Sequence, residues 1–433
     1  MTLTLLPYQE EGVAFLQSKD YALLADDPGL GKTAQVLRSL DPQQPVLVIC
    51  PKVAKGVWKA EAAKWIGPNY PVTICKSKAQ ARYPRPGEMV IMSYDSADIT
   101  TSYIQPKTLL VADEAHLVKA GNNKRCALFR TITRQVIWNQ GRIWLLTGTP
   151  MPNNPQELWN ILAYTPMADE AWGNERNFFK LFNGFRIQTN FGMQVKWGKP
   201  TPAAGIGFRK VALRRRRHEV LKDLPDKFYQ EDLVPISREA LKACTELMDK
   251  LEELGINPDR LIEIVMGSNS HGLPTELIST ARKALAMSKV PAMLEHVKEA
   301  EDNKIPLIVF SAHRGPIDAL QGRPGWGIIT GDTSASERTR LVEEFQAGRL
   351  IGMGATIKAA GVALTLTRAY KCLFVDRDWT PANNSQAEAR LQRIGQKNNV
   401  IVTTLVCEHA IDVKVYKTLL QKQRLIEEVV GNG

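Results

Sequence analysis

Ala25-Asp26-Asp27-Pro28-Gly29-Leu30-Gly31-Lys32-Thr33 is the stretch from which the rest of the chain is read. It follows a short apolar run, Tyr21 to Leu24, and opens a segment, Thr33 to Leu40, with a helical pattern. Strand, glycine loop and helix in that order make a phosphate site. Loop N–H groups and the helix N-terminus cradle phosphate oxygens, with Gly29 and Gly31 giving the backbone its close approach. In this reading Lys32 reaches the β/γ oxygens and Thr33 holds Mg²⁺. The strict pattern asks for a glycine where Asp26 stands, so the match is to the looser Gly29-x-Gly31-Lys32-Thr33 form. The competing reading is a turn that happens to contain Gly-Lys-Thr, and the remaining motifs decide between the two.

The chain has 433 residues, 44% hydrophobic and 23% charged. That is enough for two or three globular domains, each with its own core. No run of about 18 apolar residues is present, which argues against a membrane span. Met1 to Glu10 has neither the basic start nor the apolar centre of a signal peptide. The six cysteines are scattered, with no Cys-x-x-Cys pair or Cys/His cluster, so structural zinc is not expected and a reduced cytosolic setting is. The expected location is cytoplasmic or nucleoid-associated (host cytoplasm for a viral source), not secreted. A net charge of +11 and a pI near 9.3 suit a polyanionic partner. Paired with a nucleotide site, that partner reads as nucleic acid.

Residues 1–165 alternate short apolar runs with helical patterns. The runs are Val46–Cys50, Met89–Ser93, Thr108–Ala112 and Ile143–Thr147; the helices include Lys55–Trp65 and Asn122–Trp138. Buried strands alternating with helices imply an α/β fold with a doubly wound parallel sheet. Residues 166–235 break that rhythm, being rich in aromatic, glycine and basic residues up to Arg214–Arg217. Residues 236–300 read as a helical insertion. The strand–helix alternation resumes over residues 301–433 and ends in a helix from Asp412 to Val430. The expectation is two α/β lobes separated by irregular and helical segments.

Asp113-Glu114-Ala115-His116 follows the run Thr108–Ala112. A carboxylate at a strand end can hold Mg²⁺, and the next can activate the attacking water. A solvated turn is the plain alternative, and the upstream Gly-Lys-Thr loop favours the catalytic one. Leu145-Leu-Thr147-Gly-Thr149-Pro puts two small hydroxyls at another strand exit, placed to sense the γ-phosphate. Gln386-Ala-Glu-Ala-Arg390-Leu-Gln-Arg393-Ile-Gly-Gln396 is expected to set Arg390 and Arg393 at i, i+3 on one helix face, as arginine fingers would require.

In this order the motifs resemble the core of superfamily-two helicases, specifically the Swi/Snf-like ATPases, and the resemblance spans nearly the whole chain. Leu6-Pro7-Tyr8-Gln9-x-x-Gly12 resembles that family's adenine-reading start, which makes Gln9 the adenine ligand. Cys50-Pro51 with Trp58, the Thr-Gly-Thr-Pro block, Leu213-Arg-Arg, Asp378-Trp379-x-Pro381 and Arg393-Ile-Gly-Gln match further family motifs. The resemblance implies two RecA-like lobes. It implies ATP and Mg²⁺ bound by Gln9, Gly29, Gly31, Lys32, Thr33 and Asp113, with Lys32, Asp113, Glu114, Arg390 and Arg393 catalytic. Coupling falls to His116, Thr147, Thr149 and Gly361. The partner implied is duplex or branched DNA, bound largely without sequence preference, and the implied state is a monomeric motor core. Ala25-Asp26-Asp27, Asp113-Glu-x-His116 and the Phe178–Trp197 stretch are similar to the fork-remodelling, annealing-helicase branch, without its accessory domains.

Two departures stand out. Pro28 replaces the family's usual methionine, and Lys358 and Ala363 replace a hydroxyl residue and a glycine in Ile357–Thr365. The activity expected is DNA-stimulated ATP hydrolysis that drives translocation and remodelling of DNA. A strand-separating DNA or RNA helicase is the main alternative. A binding module without hydrolysis and a nucleosome remodeller are the others.

Overall fold

The apolar runs of the first third form strands whose side chains are buried on both faces, which is why they read as unbroken hydrophobic stretches. The computed structural model describes residues 4–99, 104–189, 192–256, 274–361 and 364–431. Two compact units emerge. The first comprises Met1–Ile187, Met193–Lys222 and Leu425–Gly433; the second comprises Gln188–Gly192 and Asp223–Arg424.

The first unit is built on strands β1 (Tyr21–Leu24), β2 (Val46–Cys50), β3 (Val72–Ile74), β4 (Met89–Ser93), β5 (Leu109–Asp113) and β6 (Arg142–Leu146). A later strand, β9 (Ala212–Leu213), completes a seven-stranded sheet in the order β3-β4-β2-β5-β6-β1-β9. Every pairing in it is parallel. Between β6 and β9, strands β7 (Gly184–Thr189) and β8 (Gly192–Trp197) form a separate two-stranded sheet. The C-terminal ends of β1 and β5, where ligands gather in such sheets, carry the glycine loop and Asp113.

The second unit repeats the theme with β10 (Lys227–Val234), β11 (Leu307–Ser311), β12 (Trp326–Ile329), β13 (Gly352–Thr356), β14 (Lys371–Phe374) and β15 (Val400–Cys407). Their order is β10-β15-β14-β11-β13-β12, again parallel throughout. Helices Arg238–Glu253, Thr275–Ser288 and Val290–Asp302 share one apolar core with this sheet through Leu247, Leu251, Met293 and Val297.

The expected α/β class with two parallel-sheet lobes is what the chain adopts. The helix expected over Lys55–Trp65 spans those residues, and the final helix runs Ala410–Gly431. Five strands escaped the sequence reading: β3, β7, β8, β9 and β10. β9 is two residues long, too short to show a period. β10 is an edge strand, mostly exposed, so its residues show neither an apolar run nor a clear alternation.

Candidate active site

The glycine loop leaves β1 and enters the helix Lys32–Arg38 through a left-handed turn. Gly29 has φ +93° and Gly31 φ +77°, conformations that side chains with a Cβ rarely adopt. A Cβ on Gly31 would also collide with Gln9 Nε2. Leu30 is fully buried, and its carbonyl accepts from Tyr8 Oη, Gln9 Nε2 and Gln35 Nε2, each at 3.2 Å. The loop backbone is therefore pinned from beneath. Lys32 Nζ donates to the carbonyls of Asp26 at 2.7 Å and Asp27 at 3.3 Å. Desolvation lowers the Lys32 pKa, while Glu114, Asp26 and Asp113 pull it back up. Thr33 lies in the first turn of the helix, half-buried.

Gln9 sits in the first turn of the helix Pro7–Gln17, with its Oε1 accepting from Leu6 N at 2.9 Å. Both ends of its amide are thus engaged, one by its own helix start and one by the loop. Pro28, the residue that departs from the family pattern, packs against Gly148: a Cβ there would lie 2.7 Å from Pro28 Cδ.

Asp26 explains the missing first glycine. Its side chain is fully buried and receives Arg215 Nε at 3.0 Å, Arg215 Nη2 at 2.6 Å, the Arg215 backbone N–H at 3.1 Å and Gln35 Nε2 at 3.1 Å. Arg215 also donates to Gln35 Oε1 at 2.8 Å and to the Tyr8 carbonyl. Its neighbour Arg214 donates to the Ala25 carbonyl at 3.0 Å and the Gly148 carbonyl at 3.3 Å, and pairs with Asp27 at 3.4 Å. Gly12 faces this cluster; a Cβ on it would meet Gln35 Oε1 and Arg215 Nη2. Half of the Arg214–Arg217 run is therefore spent holding the glycine loop.

Asp113 ends β5. Its Oδ2 accepts from Trp58 Nε1 at 2.8 Å, its Oδ1 from the Glu114 N–H at 3.0 Å, and its carbonyl from Tyr94 Oη at 2.9 Å. Burial first, and Glu114 second, push its pKa up to about 6, against the pull of Trp58 and Lys32. Glu114 is held at φ +52°, ψ +51°, a left-handed conformation that costs a non-glycine residue about 1–2 kcal/mol. Such outliers concentrate at functional sites. Glu114 Oε2 lies 3.2 Å from His116 Nδ1, which is 3.1 Å from Thr147 Oγ1 and 3.4 Å from Thr149 Oγ1. Thr147 Oγ1 in turn accepts from the Thr149 N–H at 3.1 Å. The three coupling candidates of the first unit thus form one hydrogen-bonded cluster, with Glu114 at ion-pair distance from its histidine.

In the second unit, the helix expected to present Arg390 and Arg393 stops short of them. It runs Pro381–Glu388, and both arginines lie in the irregular turn beyond it, which closes at Gly395 with φ +101°. The i, i+3 helical spacing is replaced by side-chain anchoring. Arg390 is buried and its Nη2 donates to the Gly361 carbonyl at 2.5 Å; Arg393 Nη1 donates to the Leu364 carbonyl and Thr365 Oγ1, both at 3.0 Å. Both therefore grip the segment that carries Gly361, while Val362 and Ala363 lie outside the described residues. Lys358 is exposed. Glu388, at the end of that helix, is buried between Lys227 Nζ at 2.9 Å, Tyr229 Oη at 2.9 Å and Arg377 Nη1 at 3.0 Å. Gln392 Nε2 donates to the Pro225 carbonyl at 2.8 Å.

Sequence reasoning missed Trp58 as a partner of Asp113, Arg215 as the partner of Asp26, and Glu388. An acidic residue at a buried loop position demands a cation, and the four-arginine run was the signal that could have supplied it.

Residues 8–257, more than half of the chain, match the SNF2-related domain, and residues 288–395 match the helicase conserved C-terminal domain. A Caenorhabditis elegans homolog of SWI/SNF-related matrix-associated actin-dependent regulator of chromatin subfamily A-like protein 1 is 27% identical over 98% of this chain and 62% of its own length. The human DNA annealing helicase and endonuclease ZRANB3 is 26% identical over 97% of this chain and 40% of its own. An uncharacterized ATP-dependent helicase of Mycoplasma genitalium, MG018, is 27% identical over 98% and 42%. This chain thus spans between 40% and 62% of the length of these curated relatives. Among solved structures, the Sulfolobus solfataricus SWI2/SNF2 ATPase core in complex with dsDNA is 21% identical with a TM-score of 0.44, covering 100% of this chain and 94% of that one. The glycine loop, the strand-end carboxylates and the Thr-Gly-Thr-Pro block all fall inside the 8–257 match, and on it the chain belongs to the SNF2-related family.

Proposed function

We propose that the protein is a DNA-stimulated ATPase that translocates on duplex or branched DNA and remodels it. The observation that carries this reading is the gathering of Asp113 and Glu114 around Lys32, at the end of β5 beside a left-handed glycine loop. A cation set among carboxylates above a loop of N–H donors suits a nucleotide triphosphate with its metal.

The residues present fit that pair. The turn at Gly31 leaves no room for a Cβ, and the oxygen donors of Thr33 and Asp113 suit Mg²⁺. Bound there, Mg²⁺ would offset charge on the β- and γ-phosphate oxygens. Lys32 leaves the Asp26 and Asp27 carbonyls to meet the phosphates. Asp113 is oriented by Trp58, so its carboxylate needs no reorganisation. Glu114 orients the attacking water and accepts its proton, and its contact with His116 links that step to Thr147 and Thr149. Arg390 and Arg393 counter the charge that develops on the transferred phosphoryl group. Their anchoring on the segment that carries Gly361, a residue expected to act in coupling, supports a link between DNA contact and hydrolysis.

Relatives named for DNA annealing and the net charge of +11 support DNA as the partner. The deciding experiment compares ATPase rates on single-stranded, blunt duplex and forked DNA, with triplex displacement as the readout of translocation. Duplex stimulation with triplex displacement is the expected result. Unwinding of forks without movement on blunt duplex would instead establish a strand-separating helicase.

A further inference from the structure

Arg390 and Arg393 stand in a turn that no helix orders. Beyond the helix Pro381–Glu388 the main chain keeps tight bonds only, Arg390 N to the Ala387 carbonyl at 3.0 Å and Arg393 N to the Leu391 carbonyl at 3.2 Å. Two side chains of the same stretch fasten it elsewhere. Glu388 is 1% exposed and accepts from Lys227 Nζ and Tyr229 Oη, both at 2.9 Å, and from Arg377 Nη1 at 3.0 Å. Gln392 Nε2 donates to the Pro225 carbonyl at 2.8 Å. Arg390 therefore lies between two ties to residues 225–229, and Arg393 directly after the second. A buried carboxylate with both oxygens bonded makes rigid what it joins.

Residues 225–229 open the long segment of the second unit, Asp223–Arg424. The chain reaches them straight from the latch behind the glycine loop. There Arg214 Nη2 pairs with Asp27 Oδ1 at 3.4 Å, and the Arg217 N–H donates to Asp27 Oδ2 at 3.1 Å. Only the seven residues 218–224 separate the Arg217 N–H held by Asp27 from the Pro225 carbonyl held by Gln392. Asp27 is also one of the two residues whose carbonyls accept from Lys32 Nζ, at 3.3 Å. A lysine drawn away to phosphate releases the carbonyl of the residue that anchors one end of this connector. The arginine turn is tied to the other end.

We propose that Glu388 and Gln392 are positioning residues for ATP hydrolysis, fixing Arg390 and Arg393 to the connector that leads from Asp27, so that the state of the glycine loop reaches the arginines along the chain itself. This rests on the DNA-stimulated ATPase reading and adds to it the residues that set the two arginines. Neither residue meets the nucleotide; each acts through the turn.

The test uses three variants of the full chain. Gln392→Met removes the donor and keeps the length of the side chain. Gln392→His restores a donor. The third inserts two glycines between Lys222 and Asp223, both exposed, which adds about 7 Å of slack and leaves every side chain in place. ATPase kinetics with duplex DNA, affinity for a fluorescent ATP analogue and melting temperature are measured for each. Gln392→Met and the insertion are expected to lower the DNA-stimulated kcat about tenfold or more, within the roughly 10²-fold that a 1 Å misplacement can cost. KM for ATP, analogue affinity and melting temperature should stay at wild-type values, and Gln392→His should recover most of the lost kcat. A normal kcat in Gln392→Met or in the insertion variant overturns the proposal. So does a fall in kcat that tracks a lower melting temperature and is not restored by histidine, which would make Gln392 a residue of stability alone. Wild-type hydrolysis that duplex DNA does not accelerate overturns the parent reading instead, so the two failures are distinct.

Discussion

Asp26 and Arg215 are 189 residues apart in the chain, and their carboxylate and guanidinium meet at 2.6 Å inside the first unit. The pair fixes the glycine loop to the end of β9, and it replaces the glycine that a stricter phosphate loop would have at that position. Removing Arg215 alone strands a fully buried carboxylate with only Gln35 beside it. Arg215→Ala should cost about 3–5 kcal/mol of first-unit stability in urea unfolding, whereas an apolar double replacement, Asp26→Leu with Arg215→Met, should cost much less. Equal losses in the two variants would show that packing, not the uncompensated charge, sets the cost.

Lys32 and Glu114 should separate binding from chemistry. Lys32→Ala is expected to abolish hydrolysis and weaken nucleotide binding. Glu114→Gln keeps the hydrogen-bonding shape but cannot take the water's proton, so it should bind ATP and fail to turn it over. Filter binding and single-turnover hydrolysis distinguish the two; a Glu114→Gln protein with ordinary turnover sinks the base assignment.

Arg393 grips the Gly361 segment from a turn, not from a helix face. Arg393→Ala should still lower DNA-stimulated hydrolysis by roughly 10³-fold, the loss seen when charge-stabilising arginines are removed. The control is unstimulated hydrolysis, which should fall far less. Near-normal stimulated rates would reduce Arg393 to a structural anchor of Thr365.

Glu388 gives the second unit a defined acid sensitivity. Burial alone would raise its pKa; Lys227 and Arg377 more than reverse that and hold the carboxyl near 2, below its ordinary 4.5. A depressed carboxyl stabilises the fold above its unfolded pKa and loses that contribution as pH falls through the folded value. The contribution, on the order of 3 kcal/mol for such a shift, is complete above pH 4.5 and disappears toward pH 2. Glu388→Gln should lower stability at neutral pH and flatten the melting-temperature profile across that window. A variant that keeps the wild-type slope would assign the acid sensitivity to other carboxylates.

Gly12 tests the packing behind the loop. A Cβ there has no space beside Gln35 and Arg215. Gly12→Ala should therefore weaken nucleotide binding even though the residue lies away from the loop itself, as isothermal titration would reveal. Undiminished affinity would mean that Gln35 can turn aside at no cost.

Much of this site was legible in sequence. Lys32, Thr33, Asp113 and Glu114 were read from a strand, a glycine pair and a second strand end, because those signals are local and periodic. The fold class followed from the same alternation of buried strands and helices. What was not legible depends on contacts far apart in the chain. β9 is two residues long and has meaning only beside β1. Arg214 and Arg215 looked like any basic run until Asp26 and Asp27 appeared opposite them. The Arg390 turn was misread as helix because Gln386 to Gln396 contains good helix formers, while Gly395 and the pull of Gly361 and Leu364 end the helix at Glu388. The aromatic stretch divided as well: Trp172, Phe178 and Phe182 are core, and Phe185 is not.

The late arrival of β9 also sets an order of assembly. A chain growing from its N-terminus completes the glycine loop, Asp113, Glu114 and the Thr-Gly-Thr-Pro block well before residue 212 exists. Until Arg215 follows, Asp26 lacks its guanidinium partner, β1 is an open sheet edge, and Leu213 is not there to accept from Ala25 N. The latch behind the glycine loop is therefore completed late in synthesis, at a single long-range closure, and not in step with the motifs it supports. A fragment cut before residue 212 would carry Gln9, Lys32, Thr33, Asp113 and Glu114 and an unlatched loop.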